Sequence, residues 1–127
     1  MKKILGVLCS IFMLAGCGSV SNDASYKQIS QEDAASIMES GENYIILDVR
    51  RPDEFAAGHI PNAINIANET IGTEEIPQLP EKDQLILVYC RSGNRSQKAS
   101  AALAELGYPQ VYEFGGIGSW PYDIVTD

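Results

Sequence analysis

The strongest pattern of apolar and polar positions in the chain lies in residues 85–107. Residues 85–89 form a continuous apolar run with β-branched side chains, which is typical of a strand buried on both faces. Apolar residues then recur at the i, i+3, i+4 and i+7 spacing of a helix: Ala99, Ala102, Leu103 and Leu106. Gly107 follows where a helix stop is expected. The pattern therefore predicts a buried strand, a polar loop over residues 90–96 and an amphipathic helix.

The alternation of strand and helix patterns continues through the rest of the chain. Ser30 and Pro52 occupy favourable N-cap and N1 positions for two helices, which are expected to end near residues 40 and 57. Residues 68–80 show little pattern beyond one helical turn before Pro77. The other predicted strands, the first of them a weak edge strand, cover residues 27–30, 44–49, 63–66 and 111–114. Strands that alternate with helices predict one α/β domain with a central parallel sheet flanked by helices.

The beginning of the chain has the pattern of a targeting segment. Lys2 and Lys3 precede an apolar stretch over residues 4–15, which is shorter than a membrane-spanning helix needs. The sequence Leu-Ala-Gly-Cys that ends at Cys17 resembles the lipobox of bacterial lipoproteins, although an ordinary secretory signal is the alternative. We therefore expect three parts, namely a signal peptide, a lipid-anchored flexible tether and a folded domain, over residues 1–16, 17–25 and 26–127.

The chain has 3 cysteines, and their expected fates differ. Cys9 leaves with the signal peptide. Lipid on Cys17 would anchor the exported protein to the bacterial cell membrane, with the domain facing outside the cytoplasm. Cys90 then remains as the only free thiol, so the mature chain cannot form an internal disulfide. Because exported domains often use cysteine pairs as staples, a solitary thiol is better explained by chemistry than by stability.

The charge balance argues against nucleic acid as a partner. The chain has 9 Lys and Arg against 17 Asp and Glu, and without Lys2 and Lys3 the 7 remaining basic residues leave a formal net charge of −10. Most of these basic residues follow two predicted strands closely: Arg50, Arg51, Arg91, Arg95 and Lys98. An acidic protein that concentrates its positive charge in one place is expected to bind a small anion there. The alternative is pairing with neighbouring aspartates, which we expect for Arg50 but not for the loop arginines.

Cys90 lies where the predicted strand ends and the polar loop, CRSGNRS, begins. A helix N-terminus and the guanidinium groups of Arg91 and Arg95 are expected to lower the pKa of a nearby thiol. Loop N–H groups around Gly93 can form an anion-binding concavity. Parallel sheets also bind ligands at the carboxyl ends of their strands. A buried, inert cysteine is the alternative, but the loop favours a reactive nucleophile beside an anion site.

These residues, together with others in the same order, resemble the single-domain rhodaneses, sulfurtransferases of the rhodanese-like superfamily. The resemblance runs from about Tyr26 to Trp120 and rests on the loop CRSGNRS and on residues 48–50, 54–55, 58–63 and 115–116. It implies a rhodanese-like fold in which the active-site loop lies between a strand and the following helix. It also implies that no cofactor is needed and that Cys90 is the nucleophile. The donor anion would be bound by Arg91, Ser92, Gly93, Asn94, Arg95 and Ser96, of which Ser96 would also cap the helix.

The function implied by the resemblance is transfer of sulfane sulfur from a thiosulfate-like donor to cyanide or a thiol acceptor, through a persulfide on Cys90. Two alternatives stay open. One is a persulfide carrier or binding module that serves a partner, such as a redox or sulfur-acceptor protein. The other is a cysteine phosphatase of the same fold. Those phosphatases have five residues between Cys and Arg, whereas four separate Cys90 from Arg95, and the smaller loop favours sulfur over phosphate.

Other polar and aromatic residues are expected to support the site rather than react. Asp48 and Arg50 would form a partly buried ion pair at the end of a strand. His59 is the only histidine, so we expect a structural role and no metal site. The aromatic residues expected to pack or to line the pocket are Tyr89, Trp120 and Tyr122. The chain after Trp120 is shorter than in typical rhodaneses, which leaves open how the far wall of the pocket closes.

Overall fold

The structure, a computed structural model, describes residues 25–72 and 74–126. These residues form a sheet of five strands in the order β1-β5-β4-β2-β3, in which every neighbouring pair is parallel. The elements are β1 Lys27–Gln28, α1 Gln31–Glu39, β2 Tyr44–Asp48, α2 Pro52–Ala57, β3 Ile64–Asn65, β4 Leu85–Cys90, α3 Asn94–Glu105 and β5 Val111–Gly116. Single turns of 3₁₀ helix cover Asn68–Thr70 and Ile117–Ser119. The predicted α/β fold with a central parallel sheet is confirmed.

Strand β4 is the central strand, and all of its residues are buried. Its side chains alternate between two hydrophobic clusters. Val88 and Cys90 belong to the cluster that contains Leu103 of α3, whereas Leu87 and Tyr89 belong to the cluster that contains residues of α1. Because helices cover both faces of the sheet, both sets of side chains are apolar, and this explains the continuous apolar run in the sequence.

The helix ends follow the predicted local signals. The Ser30 side chain accepts a hydrogen bond from the Asp33 backbone N–H at 2.9 Å, which caps α1. Pro52 is the first residue of α2. After α3, Gly107 has a φ of +105° and its N–H donates to the Ala104 carbonyl, while the Tyr108 N–H donates to the Leu103 carbonyl. This is a Schellman motif, and it explains the glycine at the predicted stop.

Several boundaries differ from the sequence predictions. The central strand extends one residue further, to Cys90, and the last strand extends to Gly116. The edge strands β1 and β3 have only two residues each, and each pairs with a single neighbour. The helical turn predicted in residues 68–80 before Pro77 is present, at Asn68–Thr70. The predicted signal peptide and Cys17 lie outside the described residues, and among those that are described no helix is long and apolar enough to span a membrane.

Candidate active site

Cys90 is the last residue of β4 and its side chain is buried. The chain then turns through a short loop, and α3 begins at Asn94. The turn requires Gly93 to adopt a φ of +112°, a conformation that glycine tolerates better than other residues. It directs the Gly93 N–H to the Cys90 sulfur at 2.9 Å, and the Ser96 hydroxyl oxygen lies 3.4 Å from the same sulfur. The thiol is therefore enclosed by polar groups at the start of a helix.

The pKa of the Cys90 thiol is lowered from its ordinary value. Burial is the largest single influence and acts in the opposite direction, because it disfavours the charged thiolate. The hydrogen bond with the Ser96 side chain and those from the backbone N–H groups of Ser96, Gly93 and Ser92 together outweigh it. The thiolate is thus stabilised mainly by hydrogen-bond donors of the loop, and it is the thiolate that acts as a nucleophile.

The end of β5 packs against the loop that follows Cys90. Gly116 pairs with Cys90 in the sheet, and the Gly118 N–H donates to the Arg91 carbonyl at 3.2 Å. A Cβ atom at Gly116 would clash with that same Arg91 carbonyl, so only glycine allows the two backbones to approach. The close backbone approach gives a physical reason for the glycine at the end of β5.

Arg95 has a carboxylate partner that the sequence analysis did not foresee. Its guanidinium group contacts the two carboxylate oxygens of Glu54 at 2.7 and 3.1 Å, and its side chain is 30% exposed. The contact with Arg95 is the main reason that the pKa of Glu54 falls to about 2. The expectation that the loop arginines are unpaired is therefore wrong for Arg95. The other predicted anion-binding residues whose side chains are not buried lie at the loop surface: Arg91, Ser92 and Asn94.

Ser96 is buried in the first turn of α3 and does not occupy the N-cap position. The N-cap is Gly93, so the prediction that Ser96 caps the helix is wrong. The Ser96 hydroxyl group instead lies 2.5 Å from the Glu113 carboxylate and 3.0 Å from the Gly93 carbonyl. Glu113 is 2% exposed and also accepts hydrogen bonds from the Gly115 N–H at 3.0 Å and the Gln28 side chain at 3.2 Å.

The predicted ion pair at the end of β2 is present. The Arg50 guanidinium group contacts Asp48 at 2.8 Å, and both side chains are almost fully buried. Arg50 also donates to the Gly58 carbonyl and lies over the Tyr89 ring, while Asn65 donates to the carbonyls of residues 48 and 50. Among these contacts none reaches the residues from 91 to 96. The pair holds the ends of β2 and β3 in place next to β4 rather than meeting a bound anion directly.

His59 is buried and stacks on the Phe55 ring with centroids 3.8 Å apart. Its backbone pairs with Val125, which brings the end of the chain back against the domain. Trp120 and Tyr122 of this returning segment line a cleft of about 470 Å³ together with residues of α1, and Cys90 is not among its lining residues. No cluster of His, Cys, Asp and Glu suited to a metal ion occurs in residues 25–72 and 74–126.

Two carboxylates near the loop were missed as site residues by the sequence analysis. Glu54 was noted only as part of the resemblance, and nothing in its local pattern indicated that it meets Arg95, 41 positions away. The sequence did contain a signal for Glu113, because it is the only charged residue in β5 and its neighbours in that strand are apolar. A charge in a buried strand needs a polar partner, and Ser96 is that partner.

Comparison with known proteins agrees with this geometry. The family model for the rhodanese-like domain matches residues 30–121. The chain is 33% identical over 96 residues to a thiosulfate sulfurtransferase GlpE from Pseudomonas syringae, which covers 75% of this chain and 87% of the relative. It is 35% identical over 104 residues to the adenylyltransferase and sulfurtransferase UBA4 from Candida albicans, but spans only 24% of that protein.

Among solved structures, a rhodanese-related protein from Thermoplasma volcanium superimposes with a TM-score of 0.68 and 35% sequence identity. The match covers 80% of this chain and all of the other. The family model, these similarities and the cysteine loop point to the same enzyme class. The chain therefore belongs to the rhodanese-like domain family and is a rhodanese-type sulfurtransferase.

Proposed function

We propose that the protein takes the outer sulfur of a thiosulfate-like donor onto Cys90 and passes it, as a persulfide, to a thiol. The Cys90 thiolate attacks the outer sulfur of the donor and a new S–S bond forms. The donor S–S bond breaks, and sulfite leaves with its electron pair. An acceptor thiolate, or cyanide in an assay, then attacks the outer persulfide sulfur and releases the Cys90 thiolate.

The observation that best supports this proposal is the enclosure of the Cys90 sulfur by hydrogen-bond donors. A persulfide bears negative charge on its outer sulfur, and stabilising that charge requires donors aimed at the loop interior. The Gly93 N–H already lies at hydrogen-bond distance from the sulfur. Arg91 is exposed at the loop surface, where its guanidinium group can meet an anionic donor as it enters.

The contact between Arg95 and Glu54 favours sulfur transfer over phosphate hydrolysis. A cysteine phosphatase needs a guanidinium group that is free to bind a dianionic phosphate with two hydrogen bonds. In this chain the Arg95 guanidinium group is already bound by both Glu54 oxygens. Arg95 is therefore not free to make the two hydrogen bonds that phosphate hydrolysis needs, whereas the proposed sulfur transfer relies on the loop N–H groups around Cys90.

A persulfide carrier is the second candidate function, and turnover distinguishes it from an enzyme. The Candida relative is named as both an adenylyltransferase and a sulfurtransferase, so a domain similar to this one occurs within a larger protein. That similarity supports a protein thiol as one class of acceptor. A carrier would load sulfur onto Cys90 but pass it slowly to small acceptors such as cyanide or glutathione-like thiols.

The decisive experiment follows sulfur on Cys90 itself. The purified protein is treated with thiosulfate, and the peptide that contains Cys90 is analysed by mass spectrometry, with Cys90→Ser as the control. We expect one added sulfur on the wild-type peptide and thiocyanate release when cyanide follows. Absence of the adduct on a demonstrably free thiol would exclude the proposal. An adduct without thiocyanate release would support the carrier, and phosphate release from an aryl phosphate without the adduct would support the phosphatase.

We also propose that Cys17 bears a lipid that anchors the exported protein to the bacterial cell membrane. The support is the sequence at its position, which resembles a lipobox. The protein should fractionate with membranes and be released by detergent but not by high salt, because the chain is acidic. Cys17→Ala should abolish lipidation. Continued membrane attachment of a correctly cleaved Cys17→Ala protein would exclude the lipid anchor.

A further inference from the structure

Glu113 is a buried carboxylate next to the nucleophile, and the reaction described above does not use it. It lies in β5, the strand that packs against α3, and its side chain is 2% exposed. Burying a carboxylate is costly unless its oxygens are well bonded. In residues 25–72 and 74–126 no lysine or arginine forms an ion pair with Glu113. Its partners are instead donors of hydrogen bonds, and one of them contacts Cys90.

The hydrogen bonds of Glu113 show that both of its carboxylate oxygens act as acceptors. One carboxylate oxygen accepts from the Gly115 N–H, and the other accepts from the Gln28 amide. The Ser96 hydroxyl group lies 2.5 Å from the first of these oxygens. The Gly115 N–H and, in this arrangement, the Gln28 amide group can only donate, so both fit an ionised carboxylate. The Ser96 hydroxyl group must then donate to this carboxylate as well.

Ser96 has a single hydroxyl proton, so its other contacts must be acceptances or be left unmade. The alternative acceptors for that proton are the Gly93 carbonyl at 3.0 Å and the Gly115 carbonyl at 3.5 Å, both longer than the contact with Glu113. A hydrogen bond to a carboxylate is also stronger than one to a carbonyl. The Ser96 lone pairs therefore face the Cys90 sulfur at 3.4 Å and can accept the thiol proton.

We propose that Cys90, Ser96 and Glu113 form a proton relay in which Glu113, as a positioning residue, stores the proton that leaves the thiol. The thiol proton passes to the Ser96 oxygen as the Ser96 hydroxyl proton passes to Glu113. The products are a Cys90 thiolate, a neutral Glu113 and an intact Ser96 hydroxyl group. The net charge of the three groups stays the same, and the new Ser96 proton points at the thiolate and stabilises it.

The relay deepens the proposed sulfur transfer, on which it rests for its role in the reaction. An anionic donor must approach a site that already contains the charge of the nucleophile. If the thiol proton left for solvent, Glu113 and Cys90 would both be negative, and the donor would meet two charges. Transfer of the proton to Glu113 leaves only one. Sulfur loading then proceeds without loss of a proton to water from the buried site.

The pH dependence of thiol reactivity provides the test, because two groups that share a proton titrate together. The other groups that face the relay are the Gln28 amide from β1 and, through its electrostatic interaction with Cys90, Arg95 from α3. Neither of these changes charge between pH 4 and pH 10. The wild-type rate of alkylation at Cys90 should therefore show two inflections with a plateau between them.

The experiment measures that rate by peptide mass spectrometry, which separates Cys90 from the other cysteines of the full chain. Glu113→Gln keeps the size of the side chain but cannot store a proton. We expect its profile to lose the plateau and to fall about tenfold for each pH unit below a single inflection. Glu105→Gln removes the same charge from the exposed end of α3 and should keep the wild-type profile.

Ser96→Ala provides an independent variant, because it removes the link and leaves Glu113 in place. Its profile should also have a single inflection, and thermal unfolding confirms that each variant is folded. A single inflection in the wild-type protein, or two inflections that persist in Glu113→Gln or Ser96→Ala, would overturn the relay. Alkylation requires neither donor nor acceptor, so loss of sulfur transfer with an intact wild-type profile would contradict the proposed reaction and leave the relay standing.

Discussion

Replacing Gly116 with alanine tests whether the backbone contact under the catalytic loop decides both stability and activity. The backbone of Gly116 has φ −129° and ψ 151°, which alanine adopts without strain, so any cost must come from the surroundings. The new Cβ would clash with the Arg91 carbonyl, which is backbone and cannot move by changing rotamer. The loop or the end of β5 must therefore shift.

The magnitude follows from the contacts that this shift affects. Loss of the hydrogen bond from Gly118 to the Arg91 carbonyl costs about 1 kcal/mol. Forcing an extra methyl group into packed surroundings costs about 1–3 kcal/mol. The reduced freedom of the unfolded chain offsets about 0.4–1 kcal/mol. The net loss in the free energy of unfolding is about 2 kcal/mol, which corresponds to a Tm lower by roughly 8–16 °C for a domain of this size.

The assay combines urea unfolding with the rate of thiocyanate formation. Displacement of the Arg91 carbonyl moves the loop that holds Cys90, so sulfur transfer should fall by at least about tenfold in Gly116→Ala. Gly72→Ala is the matched control, because its Cβ meets nothing within 4 Å and its φ is not in the left-handed region. That variant should match the wild type or be slightly more stable. A Gly116→Ala protein whose unfolding free energy lies within about 0.5 kcal/mol of the wild type would refute the steric argument.

Three further substitutions test individual contacts. Glu54→Gln should be less stable than the wild type near pH 6, and the difference should shrink as pH falls from 4.5 to about 2, because Glu54 has a lowered pKa and stabilises the fold only while it is ionised. Urea unfolding at several pH values measures the difference, and a difference that does not change with pH would contradict the ion pair. Arg95→Ala should lower the free energy of unfolding by up to about 1 kcal/mol, because it leaves Glu54 without its partner at a partly exposed site. Since Arg95 is occupied by Glu54 and Arg91 is exposed, the KM for thiosulfate should rise less in Arg95→Ala than in Arg91→Ala; urea unfolding and the rate of thiocyanate formation measure the two effects, and a larger KM effect in Arg95→Ala would show that Arg95 binds the donor in spite of Glu54. Ser100→Ala should leave the free energy of unfolding unchanged or raise it by up to about 1 kcal/mol, because the Ser100 hydroxyl group is buried without a hydrogen-bond partner. Thermal unfolding measures the change, and clear destabilisation would show that the hydroxyl group has a partner.

Local patterns in the sequence were sufficient for the order of the strands and helices, and they indicated a reactive thiol at Cys90. The apolar run before Cys90 predicts a strand buried on both faces, because an all-parallel sheet is covered by helices on each side. Ser30, Pro52 and Gly107 mark helix ends because capping and left-handed turns depend on residues only a few positions apart. The same short range places Cys90 at the start of a helix and next to loop N–H groups.

The partners of the site residues were decided only by the tertiary structure. Arg95 meets Glu54 across 41 positions, and Ser96 meets Glu113 across 17, because β2, β4 and β5 lie side by side in the sheet. No local pattern specifies which charged side chain will neutralise which other one, since that depends on the strand order and on the helices that cover the sheet. Sequence alone therefore indicated a reactive thiol in a basic loop, whereas the fold determined that one loop arginine is paired and that a buried carboxylate lies one hydroxyl group away from the sulfur.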